Sequence, residues 1–387
     1  MPSAPTTSID LTDADVVADP YPHFAAERQR HEVARHEGSG TWLTFSHTAA
    51  SAVLRDRALG RIWRDKEPAA YLEPFNLLHR NQMMENEPPE HTRLRRAVAG
   101  AFNRGHVERL RPRVRALAAE LLDEVEPSSF DVIGEYAEPL PVLVIAELVG
   151  LATTDVSSLR RWSQAIVRMY EPAPSAEVVA DAVRSATEFA DHVREHLARR
   201  RSSPGEDLTT DLLAAGLSDD ELVAAAVLLL NAGHEASVNV FGNGLVALLS
   251  RGLTPGDDPT LTVEEMLRFD SALQLFERTA TREVEVGGVV VREGEKVAAL
   301  LGAANRDPSA FADADTFDPQ RDPNPHLAFG AGLHFCLGAP LARMELAESL
   351  TALFDCFPAL DLVGEPESRG TFVLRGFRRV LVRQEGA

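Results

Sequence analysis

The chain has 387 residues, with 39 basic against 59 acidic side chains, a formal charge of −20 and a pI near 5.0. That balance argues against a broad basic surface for nucleic acid. Its 44% hydrophobic and 25% charged residues suit a globule and exclude disorder, collagen or a membrane bundle.

Two cysteines, Cys336 and Cys356, are too few for a disulfide framework or a four-cysteine zinc site, and fit a reducing compartment. Lysine occurs only at Lys66 and Lys296, so arginine supplies nearly all the positive charge. The length suffices for two or three average domains or one large one.

The polar, acidic segment Met1–Pro20 lacks a basic stretch followed by an apolar run, so no signal peptide or anchor is expected. A helix is predicted over Pro22–Arg30. A strand pair follows, Glu32–His36 and Thr41–Phe45, turned at Gly38-Ser39-Gly40. From Ala49 to about Arg201 the pattern is helical, clearest in Val107–Val125 and Ala176–Arg200, where apolar residues recur three and four apart. Glu138-Pro139-Leu140-Pro141 punctuates this part, and Arg201-Ser202-Ser203-Pro204-Gly205 marks an exposed connection.

The most apolar stretch is Leu222–Ser250, whose one charged residue is Glu235. A helix apolar on all sides is buried, so this reads as a central core helix roughly 43 Å long. Asn231, His234 and Glu235 at its middle argue against a membrane span, and a cytoplasmic location is expected. Thr262–Phe269 reads as a short charged helix. Glu283–Val286 and Val289–Val291 around Gly287-Gly288 read as a hairpin, with a further strand pair at Phe372–Leu374 and Arg379–Val382. Strands at both ends of a helical chain favour one continuous domain, 1–387, mainly α with small β-sheets (α+β).

The densest chemical signal is Phe329-Gly330-Ala331-Gly332-Leu333-His334-Phe335-Cys336-Leu337-Gly338-Ala339-Pro340. Its glycines permit an unusual backbone before the cysteine, and Gly338 allows close approach to something flat. Pro340 suits the first turn of a helix through Leu341–Phe354. Cys336 then sits at a helix start, where orphan amides favour thiolate over thiol and suit it to a metal. The alternative for a lone cysteine, a small buried hydrophobe, is the reading given to Cys356.

This run resembles the haem-binding loop of cytochromes P450, and distant motifs agree in order from about residue 20 to the end. Glu265-Met266-Leu267-Arg268 is similar to the family's E-x-x-R helix, with its buried ion pair. Phe317-Asp318-Pro319-Gln320-Arg321 resembles the meander whose arginine joins that pair. Ala304-Asn305-Arg306-Asp307-Pro308 and Pro88–Val98 also resemble family segments, the latter a helix crossing one haem edge. The resemblance implies haem b between the central helix and the Cys-loop helix, with Cys336 as axial ligand. It places Phe329, Gly330 and Gly338 against the haem, and His91, Arg95, Arg278 and His334 on its propionates.

The resemblance also implies dioxygen activation beside Ala232-Gly233-His234-Glu235-Ala236-Ser237, where Ala232 and Gly233 open a groove and Glu235 is the acid. The family's threonine is here Ala236. Three explanations stand: Ser237 or Glu235 with water takes over, a substrate hydroxyl completes proton delivery, or the reaction is oxidative coupling or cyclisation.

By register, the substrate-facing positions are Leu228, Asn231, Gln274, Leu275, Phe372 and Val373, with Met83 and Met84 in a Phe75–Met84 loop. Val167–Tyr170 is similar to a second variable lid region. The implied activity is oxidation, as hydroxylation or epoxidation, of a mid-sized natural-product intermediate using O2. Ferredoxin and ferredoxin reductase are the expected electron donors, meeting a haem face bearing Arg95, Arg96, Arg104 and Arg343. A non-catalytic relative acting as partner to another enzyme is the alternative from a different class. The intact Cys336 loop argues against it.

Overall fold

The computed structural model describes residues 4–152 and 156–384. Its axis is a 31-residue helix, Asp219–Leu249, starting three residues before the apolar run. Ser218 and Glu221 exchange side-chain and backbone hydrogen bonds there in a capping box, and three acidic residues fill the first turn. Helices Ala69–Arg80, Pro139–Val149, Val156–Val167, Ala176–Ser202 and Pro259–Phe269 pack around it and bury its middle. Among the described residues it is the one helix long and apolar enough to cross a membrane, and most of that stretch is enclosed by the fold. The helix Ala339–Cys356 carries Pro340 in its first turn and packs mainly on Arg104–Leu122.

A six-stranded mixed sheet stands beside this helical body. Its order is Thr6–Thr7, Val33–His36, Trp42–Thr44, Lys296–Leu300, Leu275–Ala280 and Leu59–Gly60. Alternation along the strands divides the packing: Val33, Val297 and Ala299 line one face, Ala34, Leu43, Ala298 and Leu300 the other. The Val284–Val286 and Val289–Val291 hairpin forms as expected, with Gly287 and Gly288 at φ +54° and +79° in its two-residue turn.

Two expectations need correction. The C-terminal hairpin pairs differently: Leu381–Gln384 lies between Leu360–Leu362 and Phe130–Asp131, and Phe377–Arg379 pairs with Glu367–Ser368. Phe372–Leu374 joins no strand beyond a single Leu273–Leu374 bridge. These are long-range choices that a local strand pattern does not encode. The Phe75–Met84 segment is not a loop. Helix Ala69–Arg80 covers most of it, and Met83–Glu85 forms one 3₁₀ turn.

A buried charge network locks the helical body to the Cys-loop side. Glu265 and Arg268 are fully buried and bonded twice at 2.7 Å. Arg268 also donates to the carbonyls of Asn305, Ala314 and Thr316. Arg321 joins through Glu265 at 3.1 Å.

Candidate active site

The cysteine loop is shaped by backbone constraints first. Gly330 and Gly332 take φ of +69° and +71°, left-handed values that side chains resist. At Gly332 a Cβ would also strike the Leu54 carbonyl at 2.5 Å, so only glycine fits there. The amide of Cys336 donates to Phe329 O at 2.9 Å, and Leu327 N to Asn305 Oδ1 at 2.7 Å, tying the loop to the sheet side. Beside Gly338 a Cβ would meet nothing nearer than Phe102 at 4.0 Å, so the space there is open.

The amides of Gly338 and Ala339 do reach the Cys336 sulfur, as a helix start should provide. Burial nevertheless outweighs them and pushes the thiol up, so the helix start alone does not yield the expected thiolate. A bound metal would have to supply the rest. Among the described residues there is no group of three or more His, Cys, Asp or Glu arranged to hold an ion. One sulfur on an open space therefore suits a metal whose other ligands come from a macrocycle.

The four residues expected to grip propionates form a cluster with unspent positive charge. His91 is 1% exposed, yet neither ring nitrogen has a partner. Its ring lies 4.5 Å from that of His334, whose Nε2 bonds Glu87 at 2.8 Å. Burial, with His334 and Arg95 nearby, pulls His91 down to about 4, so it is neutral here. Arg278 is buried and donates only to the Glu277 carbonyl, at 3.1 Å. Burial, then neighbouring Arg61, lowers it to about 10. Arg95 donates to Phe335 O at 2.7 Å. Buried donors without carboxylates fit a group that brings two carboxylates of its own. Arg61, paired with Glu85, belongs to this cluster but carries no motif that marks it in the sequence.

The central helix presents two faces. Ala232 is solvent-exposed in the middle of an otherwise enclosed helix, with half-buried Ala236 one turn on. Gly233, half-buried beside it, also meets a packing demand. A Cβ there would meet Ile145 at 2.9 Å, so its smallness serves packing against Pro139–Val149. Successive residues turn by about 100° on a helix, which sends Gly233 off the Ala232–Ala236 line.

Glu235 is 2% exposed and accepts from Arg369 Nη1 at 2.9 Å; Arg369 Nη2 reaches Glu138 at 2.9 Å, and Glu138 pairs with Arg160. Burial raises the Glu235 carboxyl, and Arg369 opposes it. Neighbouring His234 is held down to about 3, chiefly by burial, then by Arg369.

Ser237 hydrogen-bonds Glu345, a residue of the Cys-loop helix that carries no motif in the sequence. Glu345 is 4% exposed, and burial pushes its carboxyl up to about 8, against the hydrogen bond from Ser237. It is therefore protonated at neutral pH. Because the native carboxyl keeps a proton that the unfolded chain releases near 4.5, stability falls as pH rises from about 5 to 8. Glu345→Gln should match wild type near pH 5 and exceed it by a few kcal/mol near pH 8, by urea titration. An equal difference at both pH values would contradict this.

The expected substrate contacts divide. Leu228 and Met83 line one cavity with Leu94 and Val98, from the helix that carries His91 and Arg95. Asn231 is buried with Oδ1 unpartnered, and Met84 is half-buried beside Met83. Gln274 lies fully buried, its amide donating to Tyr21 Oη and Ser271 O, so it is committed to the core. Leu275, Phe372 and Val373 pack in the cluster on one face of the sheet, Phe372 with its ring 6.2 Å from Phe24. Arg343 is held by Glu264 through two bonds of 2.6 and 2.8 Å, which neutralises it as a docking charge. Arg96 and Arg104 are exposed.

Residues 260–372 match the family model described as cytochrome P450. The 6-deoxyerythronolide B hydroxylase of Saccharopolyspora erythraea is 38% identical, over 98% of this chain and 100% of its own. Cytochrome P450 monooxygenase PikC of Streptomyces venezuelae is 35% identical, over 98% and 95% respectively. Among solved structures, P450BioI in complex with an acyl carrier protein bearing hexadec-9Z-enoic acid superposes with TM-score 0.91 at 30% identity, over 96% of this chain and 100% of that one.

Proposed function

The chain belongs to the cytochrome P450 family, and on that footing we propose that it is a haem-thiolate monooxygenase acting on a mid-sized natural-product intermediate. The observation that carries this reading is the pairing of Cys336, on its glycine-shaped loop, with buried His91 and Arg278 and half-buried Arg95, none of them paired with a carboxylate. Members of this family bind haem b through a cysteine thiolate, and the residues here suit it. Cys336 would ligate the iron, while His91, Arg95, Arg278 and His334 would hold the propionates. When bound, the haem supplies dioxygen activation.

The protein's own part is binding, water exclusion and proton handling. Leu228 and Met83 offer the substrate apolar surface, and Asn231 Oδ1 offers an acceptor for a substrate hydroxyl. Ala236 carries no hydroxyl, and Ser237 is turned to Glu345. Glu345 can hold a proton at neutral pH, and Glu235 is fixed by Arg369 beside the same turn of helix. We assign proton delivery to the Ser237–Glu345 pair together with a substrate hydroxyl.

Electrons come from separate redox partners, as in other bacterial members of the family, and we assign this role to a ferredoxin and its reductase. We place the chain in the cytoplasm, as one domain. Oxidative coupling or cyclisation is the second reading, favoured by the same missing hydroxyl at Ala236.

Pathway intermediates screened for a high-spin Soret shift, then turned over under ¹⁸O₂, test the proposal. Label in the product supports monooxygenation, and a bound substrate oxidised without label moves the assignment to coupling. If a substrate hydroxyl assists, electron use should be tight with that substrate and leak to peroxide with its deoxy analogue. Ala236→Thr should then cut the leak severalfold with the analogue, and an unchanged leak would count against assistance.

A further inference from the structure

Arg343 is one of the arginines expected to meet an electron donor, yet its guanidinium is turned inward. From helix Ala339–Cys356 it forks onto Glu264 of helix Pro259–Phe269, with Nε at 2.6 Å and Nη2 at 2.8 Å from the two carboxylate oxygens. The same guanidinium lies 4.5 Å from the centre of the Phe329 ring. Phe329 is also the residue whose carbonyl receives the Cys336 amide, at 2.9 Å. One residue of the loop therefore touches Arg343 with its ring and Cys336 with its backbone.

His326 fixes Glu264 in turn. Its side chain is buried, and Nδ1 accepts from Ala328 N at 3.2 Å, so Nε2 carries the proton and donates to Glu264 at 3.0 Å. Burial raises the Glu264 carboxyl, but the bonds from Arg343 and His326 prevail and hold it down to about 2. A guanidinium is permanently charged and planar, so a carboxylate fork and an aromatic face together define its place. The pair is neutral from afar, but its positive end is the one stacked on Phe329. Burial disfavours charge on the Cys336 sulfur, and the amides of Gly338 and Ala339 oppose it together with Arg95 and Arg343.

We propose that Glu264 and His326 are positioning residues that hold Arg343 over Phe329, where its charge raises the reduction potential of the iron bound to Cys336. This rests on the reading of Cys336 as the iron's ligand. Adding one electron to ferric iron makes the site one unit more negative with no bond made or broken, so a cation fixed nearby favours the reduced form. The effect needs no partner protein, which separates it from docking.

The test is a partner-free redox titration of haem-loaded protein, with dithionite as the electron source and soluble dyes to set the poise. At a poise that half-reduces wild type, Arg343→Met should lower the ratio of ferrous to ferric iron severalfold. Arg343→Lys restores a charge without the fork or the flat face, so it should recover only part of that ratio. Glu264→Asp keeps every charge but shortens the arm, so a lowered ratio there reports position alone. The control Arg383→Met removes an exposed charge from strand Leu381–Gln384 and should change nothing. Equal ratios in wild type and Arg343→Met would overturn the proposal, even if a protein donor then reduced the variant slowly. A lysine variant equal to wild type, with Glu264→Asp unchanged, would overturn the positioning by Glu264. Should Arg343→Met not fold, Arg343→Lys and Glu264→Asp decide. Wild type without the red-shifted carbon-monoxide band would remove the proposed function and this inference with it, whereas a normal band with equal ratios removes this inference alone.

Discussion

Replacing Arg268 with alanine is expected to destabilise the protein by at least about 3–5 kcal/mol, the usual effect of breaking a buried ion pair from one side. The cause is specific. Glu265 and Arg268 are both fully buried, and the guanidinium also satisfies three carbonyls in the segments around Asn305 and Thr316. Alanine leaves Glu265 with Arg321, Asn324 and the Asp318 amide, which hold only part of its charge. Lysine keeps the charge but not the planar fork, so Arg268→Lys should recover a minority of the loss. Urea unfolding of both variants against wild type decides the matter. A loss below about 1 kcal/mol for alanine would mean that this network is not the fastening it is taken to be.

The second large effect is chemical. Cys336→Ser should fold, because the loop is set by Gly330, Gly332 and backbone bonds rather than by sulfur. Its oxidation rate should nevertheless fall by more than about 100-fold, beyond the roughly 10–100-fold seen when only a metal ligand's supporting partner is lost. Circular dichroism and turnover, measured together, separate the two. Serine protein that is folded yet retains more than a tenth of wild-type turnover would contradict the role given to the thiolate.

Much of this architecture is legible in the residues. Leu222–Ser250 declares a buried helix because its apolar side chains cover every face, and the structure adds only the Ser218 cap. The Cys336 loop is legible because glycine, proline and cysteine each have a distinct backbone or chemical role. His91 and Arg95 are legible as neighbours because four residues make about one helical turn.

What escapes is contact at long range. Glu345 looks like any surface carboxylate in Met344-Glu345-Leu346 until folding sets it against Ser237. Arg369 finds Glu235 across 134 residues, and Glu171 finds Phe372 across 201. The same limit explains Gln274, which register alone turned toward substrate and which Tyr21 and Ser271 hold in the core. Gly233 shows that a small residue in the right motif can be small for the neighbouring helix, here at Ile145.

The most direct test is the difference spectrum of reduced, carbon-monoxide-bound protein, recorded for wild type and for Cys336→Ser. A thiolate at Cys336 predicts the red-shifted Soret band of the family in wild type and its absence in folded serine protein. Well-folded, haem-loaded wild type without that band, or a serine variant that keeps it, would contradict the assignment of Cys336 as the iron's ligand.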